Sequence, residues 1–367
     1  MKRGAADAIV DGPPSRRESM FGREKRKRTL SFMLDSKYDF DKRIEELDTK
    51  VMELEEFLLS TELPMPQVEE KLKEMKAESE RLRREVYDNL TPWQRVLVAR
   101  HPYRPTMSDY IEYMLDDFLE LQGDRRFGED GAIRAGFARI SDEHGSVRVM
   151  AVGHDKGITL TERMERNFGC AHPEGYRKAL LKMELAERFG LPILCFIDTP
   201  GAHPGLGAEE RGQAFAIADN LMRMSELRVP IVATVIGEGG SGGALGIGVA
   251  DRLLMLEFAY YSVISPEGCA AILWRGDEKD HLDEAAENLK LTAHDLHSLE
   301  IVDEVVPEPL GGAHRDHEEA ARILKSVIMR HLREAISTPA DELVRKRYRK
   351  YRRMGRFVQR TADVSDA

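Results

Sequence analysis

The chain has 367 residues with 55 Lys/Arg against 65 Asp/Glu, a formal charge of −10, and 42% apolar, 33% charged and 7% aromatic positions. That is enough chain for one large domain or two with a sizeable core, and the absence of any run of 18 apolar residues argues against a membrane-spanning helix. The N-terminus lacks an apolar h-region and carries Asp7, Asp11 and Glu18, against a secretory or transit peptide, and Cys170, Cys195 and Cys269 are too dispersed for a disulfide framework or a CxxC zinc ribbon. The expectation is a cytoplasmic protein of a reducing compartment with no metal of its own.

Charge is uneven. Residues 1–30 hold nine basic against four acidic side chains and 344–360 hold nine against none, which leaves −22 on residues 31–343. The pattern predicts a basic lead-in (1–35) and a solvated basic tail (341–367) around an acidic body. Binding of nucleic acid through RKRYRKYRRMGR (345–356) is the alternative; the acidic body and the lack of aromatic–basic interleaving argue against it.

In chain order, residues 36–100 begin with apolar positions at Ile44, Leu47, Val51, Leu54 and Leu58, and after Pro64 and Pro66 continue at Val68, Leu72, Met75, Leu82 and Val86. Steps of three and four on a charged background, broken by prolines, predict a helical hairpin. Residues 101–340 then alternate apolar runs (133–140, 147–152, 193–197, 231–236, 253–256 and 261–264) with amphipathic stretches (173–189, 208–227 and 318–335). That alternation predicts an α/β domain around a mostly parallel sheet buried on both faces.

Two glycine turns follow strands of that sheet. VATVIGEGGSGGALGIG (232–248) leaves a strand at Ile236 and opens a short helix near Ala244; CFIDTPGAHPGLGAEERG (195–212) leaves a strand at Ile197. Glycine permits close backbone approach, and a helix start presents unpaired N–H groups that hold anions. Three readings compete. Gly237, Gly239 and Gly242 fit G-x-G-x-x-G with Glu257 downstream, but the following helix is too short for a dinucleotide crossover. Gly239-Gly-Ser241-Gly-Gly243 fits the G-x-S-x-G elbow of a serine hydrolase, with Asp251, Asp277, Asp303, His294, His297 and His314 as partners. The doubled glycines favour the third, in which the backbone amides themselves are the working groups.

At these residues the chain resembles the family of bacterial acetyl-CoA carboxylase carboxyltransferase alpha subunits. ARHPYRP (99–105), QGDR (122–125), GHDKG (153–157), HPEGYRKAL (172–180), DTPGAHPG (198–205), VIGEGGSGGAL (235–245), YSVISPEGCAAILW (261–274) and IVDEVVPEPLGGAH (301–314) stand in family order. The resemblance spans roughly 40–340; it departs at His203, where the family usually shows Tyr. It implies a crotonase/ClpP-like spiral of ββα units behind the N-terminal hairpin. It also implies a biotin-dependent carboxyltransferase that moves a carboxyl group from carboxybiotin to acetyl-CoA, giving malonyl-CoA for fatty acid synthesis.

Further implications concern partners and residues. The partners are a zinc-ribbon-bearing beta subunit in an α2β2 assembly, the biotin carboxyl carrier protein and biotin carboxylase of an ATP-dependent complex; the cofactor is carrier-borne biotin, with a CoA thioester as substrate. No membrane is involved. The amides of Gly243 and Ala244 become an oxyanion hole that Gly242 lets the substrate approach. Gly201, Ala202 and His203 line the biotin cleft, Gly239 and Gly240 shape the loop, and Lys156 and Arg177 bind substrate or partner. Such a site needs no protein base, because the cofactor supplies it.

Overall fold

The computed structural model describes residues 38–61 and 65–355, so the lead-in placed at 1–35 and the end of the basic segment lie outside the described residues. Helices α1 (Asp39–Ser60) and α2 (Pro66–Tyr87) run antiparallel. Beyond their apolar stripes they are joined by charge: Ser79 Oγ and Arg83 Nη2 donate to Asp48 Oδ1 at 2.6 and 2.5 Å. Arg315 ties the pair to the body, bonding Asp48 at 2.8 Å and both oxygens of Asp41 at 2.6 and 2.7 Å. Ile44, Tyr87 and Leu90 pack there with Val98 and Phe258 in a small core of their own.

The body follows as α3 (Pro92–Ala99), α4 (Met107–Met114), β1 (Leu115–Glu120), β2 (Ile133–Asp142), β3 (Gly145–His154), α5 (Leu160–Glu165), α6 (Pro173–Phe189) and β4 (Ile193–Thr199). It continues through α7 (Leu206–Glu210), α8 (Gln213–Glu226), β5 (Ile231–Gly240), α9 (Ser241–Leu245), β6 (Arg252–Leu256), β7 (Tyr260–Ser262) and α10 (Pro266–Leu273). The last elements are α11 (Leu282–Leu289), α12 (Ala293–Ser298), β8 (Glu304–Val306), α13 (His317–Ile336) and α14 (Ala340–Arg353). Local signals set several of these starts and stops. Thr91 with Gln94 and Thr159 with Glu162 form capping boxes, and α6 opens on Pro173 and closes on Gly190 at φ 65°. Gly212, at φ 83°, splits the predicted 208–227 helix into α7 and α8.

The strands form one sheet in the order β1-β2-β3-β4-β5-β6-β8, with β7 also on β5. β1, β2 and β3 pair antiparallel and the remaining pairs are parallel. All seven residues of β4 and all ten of β5 are buried, so both faces are covered. Full burial of side chains such as Ile193, Leu194, Phe196 and Ile197 is worth ~1.5–3 kcal/mol each against exposure. Strands β1 and β8 escape the sequence pattern: LDDFLE holds three acids in six residues, and β8 has three residues.

The basic segment after 340 overturns the expected tail. Through Arg353 it is helix α14, laid across the body. Arg347 is 1% exposed; its guanidinium bonds Asp251 at 2.9 and 2.7 Å and the carbonyls of Met224, Leu227 and Val229 at 2.7–3.0 Å. Lys350 pairs with Asp303 at 2.5 Å, and the Tyr351 hydroxyl accepts from Ala250 N at 2.8 Å. Arg347 and Lys350 thus neutralise acids of the body, while Arg345, Lys346, Arg349, Arg352 and Arg353 stay exposed. Among the described residues no helix is long and apolar enough to cross a membrane.

Candidate active site

Neighbouring strands β4 and β5 run parallel and release the chain at one edge of the sheet, which brings the 198–205 and 237–245 turns together. Their register runs regularly from Ile193↔Ile231 to Ile197↔Val235 and then slips to Thr199↔Gly239. Over 232–235 strand β5 pairs with β6; over 238–240 it pairs with β7. Beyond the slip the two turns touch backbone to backbone. A Cβ added at Gly240 would sit 2.1 Å from Pro200 O, and one at Gly243 would sit 2.5 Å from Ala202 N and Gly201 C. At Gly201 an added Cβ would meet nothing within 4 Å, so its Cα looks onto open space.

Helix α9 starts in this contact. Its first four N–H groups, from Gly240 to Gly243, have no partner within the helix, whereas the Ala244 N–H is the first in position to bond back to the Gly240 carbonyl. Gly243 and Ala244 are both buried, while Ser241 and Gly242 are half-buried. Of the residues expected to supply donors, Gly242 and Gly243 therefore have N–H groups without a partner inside the helix, and Ala244 does not. On the other turn, the Gly205 N–H donates to His203 Nδ1 at 3.1 Å, which places the ring proton on Nε2. The His203 ring stacks on His172 with centroids 4.0 Å apart; burial, then His172, keeps its pKa below the usual histidine range. Gln213 Nε2 holds the backbone there through the carbonyls of Ala171 (2.8 Å) and His203 (3.1 Å).

Beneath the turns lies a buried ionic cluster. Lys156 Nζ sits 2.7 Å from Asp198 Oδ1 and 2.6 Å from Glu238 Oε1. The other Glu238 oxygen accepts from Arg100 Nε and Tyr260 OH, both at 2.7 Å, and Arg100 Nη1 reaches Glu267 at 2.5 Å. Burial opposes the charge on Glu238, but Lys156 and Arg100 outweigh it and hold the carboxyl at about 2. Lys156, expected at the cleft, thus has its ammonium turned inward between two acids. The Arg177 guanidinium is held by Glu174 and the Arg211 carbonyl. The sequence reading missed Arg100, Asp198, Glu238 and Tyr260; an acid set between glycines, as in Gly237-Glu238-Gly239, was the available signal.

The competing readings fail on placement. Among the described residues Ser241 makes no side-chain hydrogen bond, and four of its six nominated partners are engaged elsewhere. Asp251 is held by Arg347 and Asp303 by Lys350, while His297 Nδ1 lies 3.1 Å from the Val302 carbonyl and the His314 ring packs at a tilt against His101, centroids 4.0 Å apart. Helix α9 has five residues, too few for a dinucleotide crossover helix. Among the described residues no group of three or more His, Cys, Asp or Glu is placed to hold a metal ion. A cavity of about 700 Å³ lies between the hairpin and the 309–316 turn, lined by Asp48, Arg83, His101 and Arg315 among others, and shares no residue with the glycine turns.

A mostly parallel sheet whose adjacent strands end in abutting glycine turns, one of them opening a short helix, is the crotonase-type α/β fold of carboxyltransferases. The transcarboxylase 12S core, solved with methylmalonyl-coenzyme A and methylmalonic acid bound, shares that fold at TM-score 0.52 and 18% identity, over 72% of this chain and 46% of that one. The chain belongs to the acetyl co-enzyme A carboxylase carboxyltransferase-like family, whose model matches residues 37–355. It is 57% identical over 280 residues to the acetyl-coenzyme A carboxylase carboxyl transferase subunit alpha of Geobacter sulfurreducens, covering 76% of this chain and 86% of that protein. It is 51% identical over 321 residues to the subunit of the same name from Thermus thermophilus, covering 88% and 99%.

Proposed function

We propose that this chain is the alpha half of an acetyl-CoA carboxylase carboxyltransferase, which moves the carboxyl group of carboxybiotin to acetyl-CoA to give malonyl-CoA. Its partners are a zinc-ribbon-bearing beta subunit in an α2β2 assembly and the biotin carboxyl carrier protein charged by biotin carboxylase, in the cytoplasm. The observation that carries this reading is identity above 50% across nearly the whole length of relatives bearing that name. The biotin group, when bound, supplies the carboxyl group and the base that takes a proton from the acetyl methyl.

The residues present fit such a guest. An oxygen that gains negative charge needs fixed N–H donors and no facing carboxylate. Gly242 and Gly243 supply donors that helix α9 leaves unpaired, and each is worth ~10²–10³ in rate where charge develops. The acids nearest them, Asp198 and Glu238, are turned inward and matched by Lys156 and Arg100. Gly201 and Ala202 form the adjoining wall, and His203 can donate from Nε2. A second hole, for the thioester, belongs to the beta subunit.

The test is co-expression with a candidate beta chain and assay of malonyl-CoA-dependent carboxylation of free biotin, the reverse reaction. Turnover should appear with the complex and be nearly absent with this chain alone. Full turnover by the single chain would refute the reading.

A further inference from the structure

We propose that Lys156 is a positioning residue that clamps the 198–205 turn to the 237–245 turn, so that the Gly242 and Gly243 amides stay aimed at the cleft. The proposal rests on the carboxyltransferase reading and adds what holds its hole in place.

Up to Ile197 and Val235 the β4–β5 ladder sets the spacing of the two strands; it is interrupted by a bulge that contains Asp198 and Glu238 and resumes only at the last pair, Thr199↔Gly239. Lys156 comes from a third segment, the loop after β3, and its ammonium bridges one acid on each strand across that bulge. Asp198 Oδ1 also accepts the Glu238 N–H at 2.9 Å, so three segments meet at one carboxylate oxygen. Space for the lysine stem is built in: a Cβ on Gly169, at φ 83°, would lie 3.0 Å from Lys156 Cγ and 2.8 Å from Asp198 O. No other side chain of the cluster bridges the two carboxylates, because Arg100 and Tyr260 bind the opposite oxygen of Glu238; the Glu238 N–H bond to Asp198 is the remaining link at this point. Without the ammonium, two buried carboxylates face each other across the seam and repel. The response is to spread the turns, and a displacement near 1 Å at such a site costs ~10²-fold in rate.

Lys156→Met is measured in the complex with the beta chain, by the malonyl-CoA-dependent carboxylation of biotin, alongside thermal unfolding and subunit association. Wild-type turnover is scored first; its absence sinks the carboxyltransferase reading itself. With the wild type active, the clamp predicts kcat down ~10–100-fold and KM for both substrates within ~3-fold. In Lys156→Met/Asp198→Asn the side-chain amide can donate to Glu238, and kcat should recover to within ~5-fold of wild type. If Lys156→Met does not fold, Asp198→Ala, which removes the acceptor of both the Lys156 and the Glu238 N–H bonds, should still lower kcat without raising KM. A kcat within 3-fold of wild type for Lys156→Met overturns the proposal. So does a raised KM for biotin at unchanged kcat, the signature of a direct binding residue. In the fallback, an unchanged kcat for Asp198→Ala overturns it equally.

Discussion

Gly243→Ala isolates the contact between the two glycine turns. The new methyl would lie 2.5 Å from Ala202 N and Gly201 C, where ordinary contact begins at 3.4 Å, so the turns must part by about 0.9 Å. Both neighbours are backbone, so no side chain can swing away. Overpacking of this kind costs ~1–3 kcal/mol of stability. The larger effect falls on rate: moving one hole donor by that distance should lower kcat by ~10²-fold, about 2.7 kcal/mol of transition-state stabilisation. Gly128→Ala is the control, since its Cβ meets nothing within 4 Å and its φ is ordinary. Gly242→Ala is the intermediate case. Its Cβ touches only Ile217 Cδ1 at 3.7 Å, so stability should hold while approach to the helix start is obstructed. The assay is kcat and KM in the reverse reaction, with urea unfolding of each variant. Activity of Gly243→Ala within 3-fold of wild type would show that the contact does not set the donor geometry.

Ser241→Ala should keep activity within ~3-fold, because the hydroxyl has no base to activate it; a loss near 10⁴ would restore the nucleophile. Arg347→Met should destabilise the protein by ~3–5 kcal/mol in urea unfolding, since it strands Asp251 and three carbonyls, and a loss below 1 kcal/mol would mean α14 is not needed by the body. Stability should also fall with acid. Burial, reinforced by Arg315 for His101 and by Lys156 for His154, pushes both histidines down to about 3. The unfolded chain takes up those protons from near pH 6.5 downward while the folded chain does not, so each histidine removes roughly 2 kcal/mol by about pH 5. Equal urea midpoints at about pH 7 and pH 5 would contradict this.

What could be read along the chain is what local chemistry decides. Apolar runs mark the buried strands from Ile133 to Leu256, Pro173 and Gly190 bound α6, and the paired glycines announce a place where backbones approach. The glycine signal is strong because only a residue without Cβ fits against Pro200 and Gly201, so the requirement is written at the position itself. Strands β1 and β8 carry no such mark; they form because the sheet offers an edge to pair with.

The charged residues divide the same way. Sequence alone assigns Arg347 and Lys350 to a solvated tail, because a lone cation has water as its default partner, and the family resemblance assigns Lys156 to binding substrate or partner. Their partners, Asp251, Asp303, Asp198 and Glu238, lie 42 to 96 residues away along the chain. Only the folded arrangement brings each pair within hydrogen-bond distance. The sequence by itself determined the buried strands, the α6 boundaries and the need for glycine at the turns. Which acid each ammonium and guanidinium meets was decided in three dimensions, because Coulomb attraction depends on distance in space and not on separation in sequence.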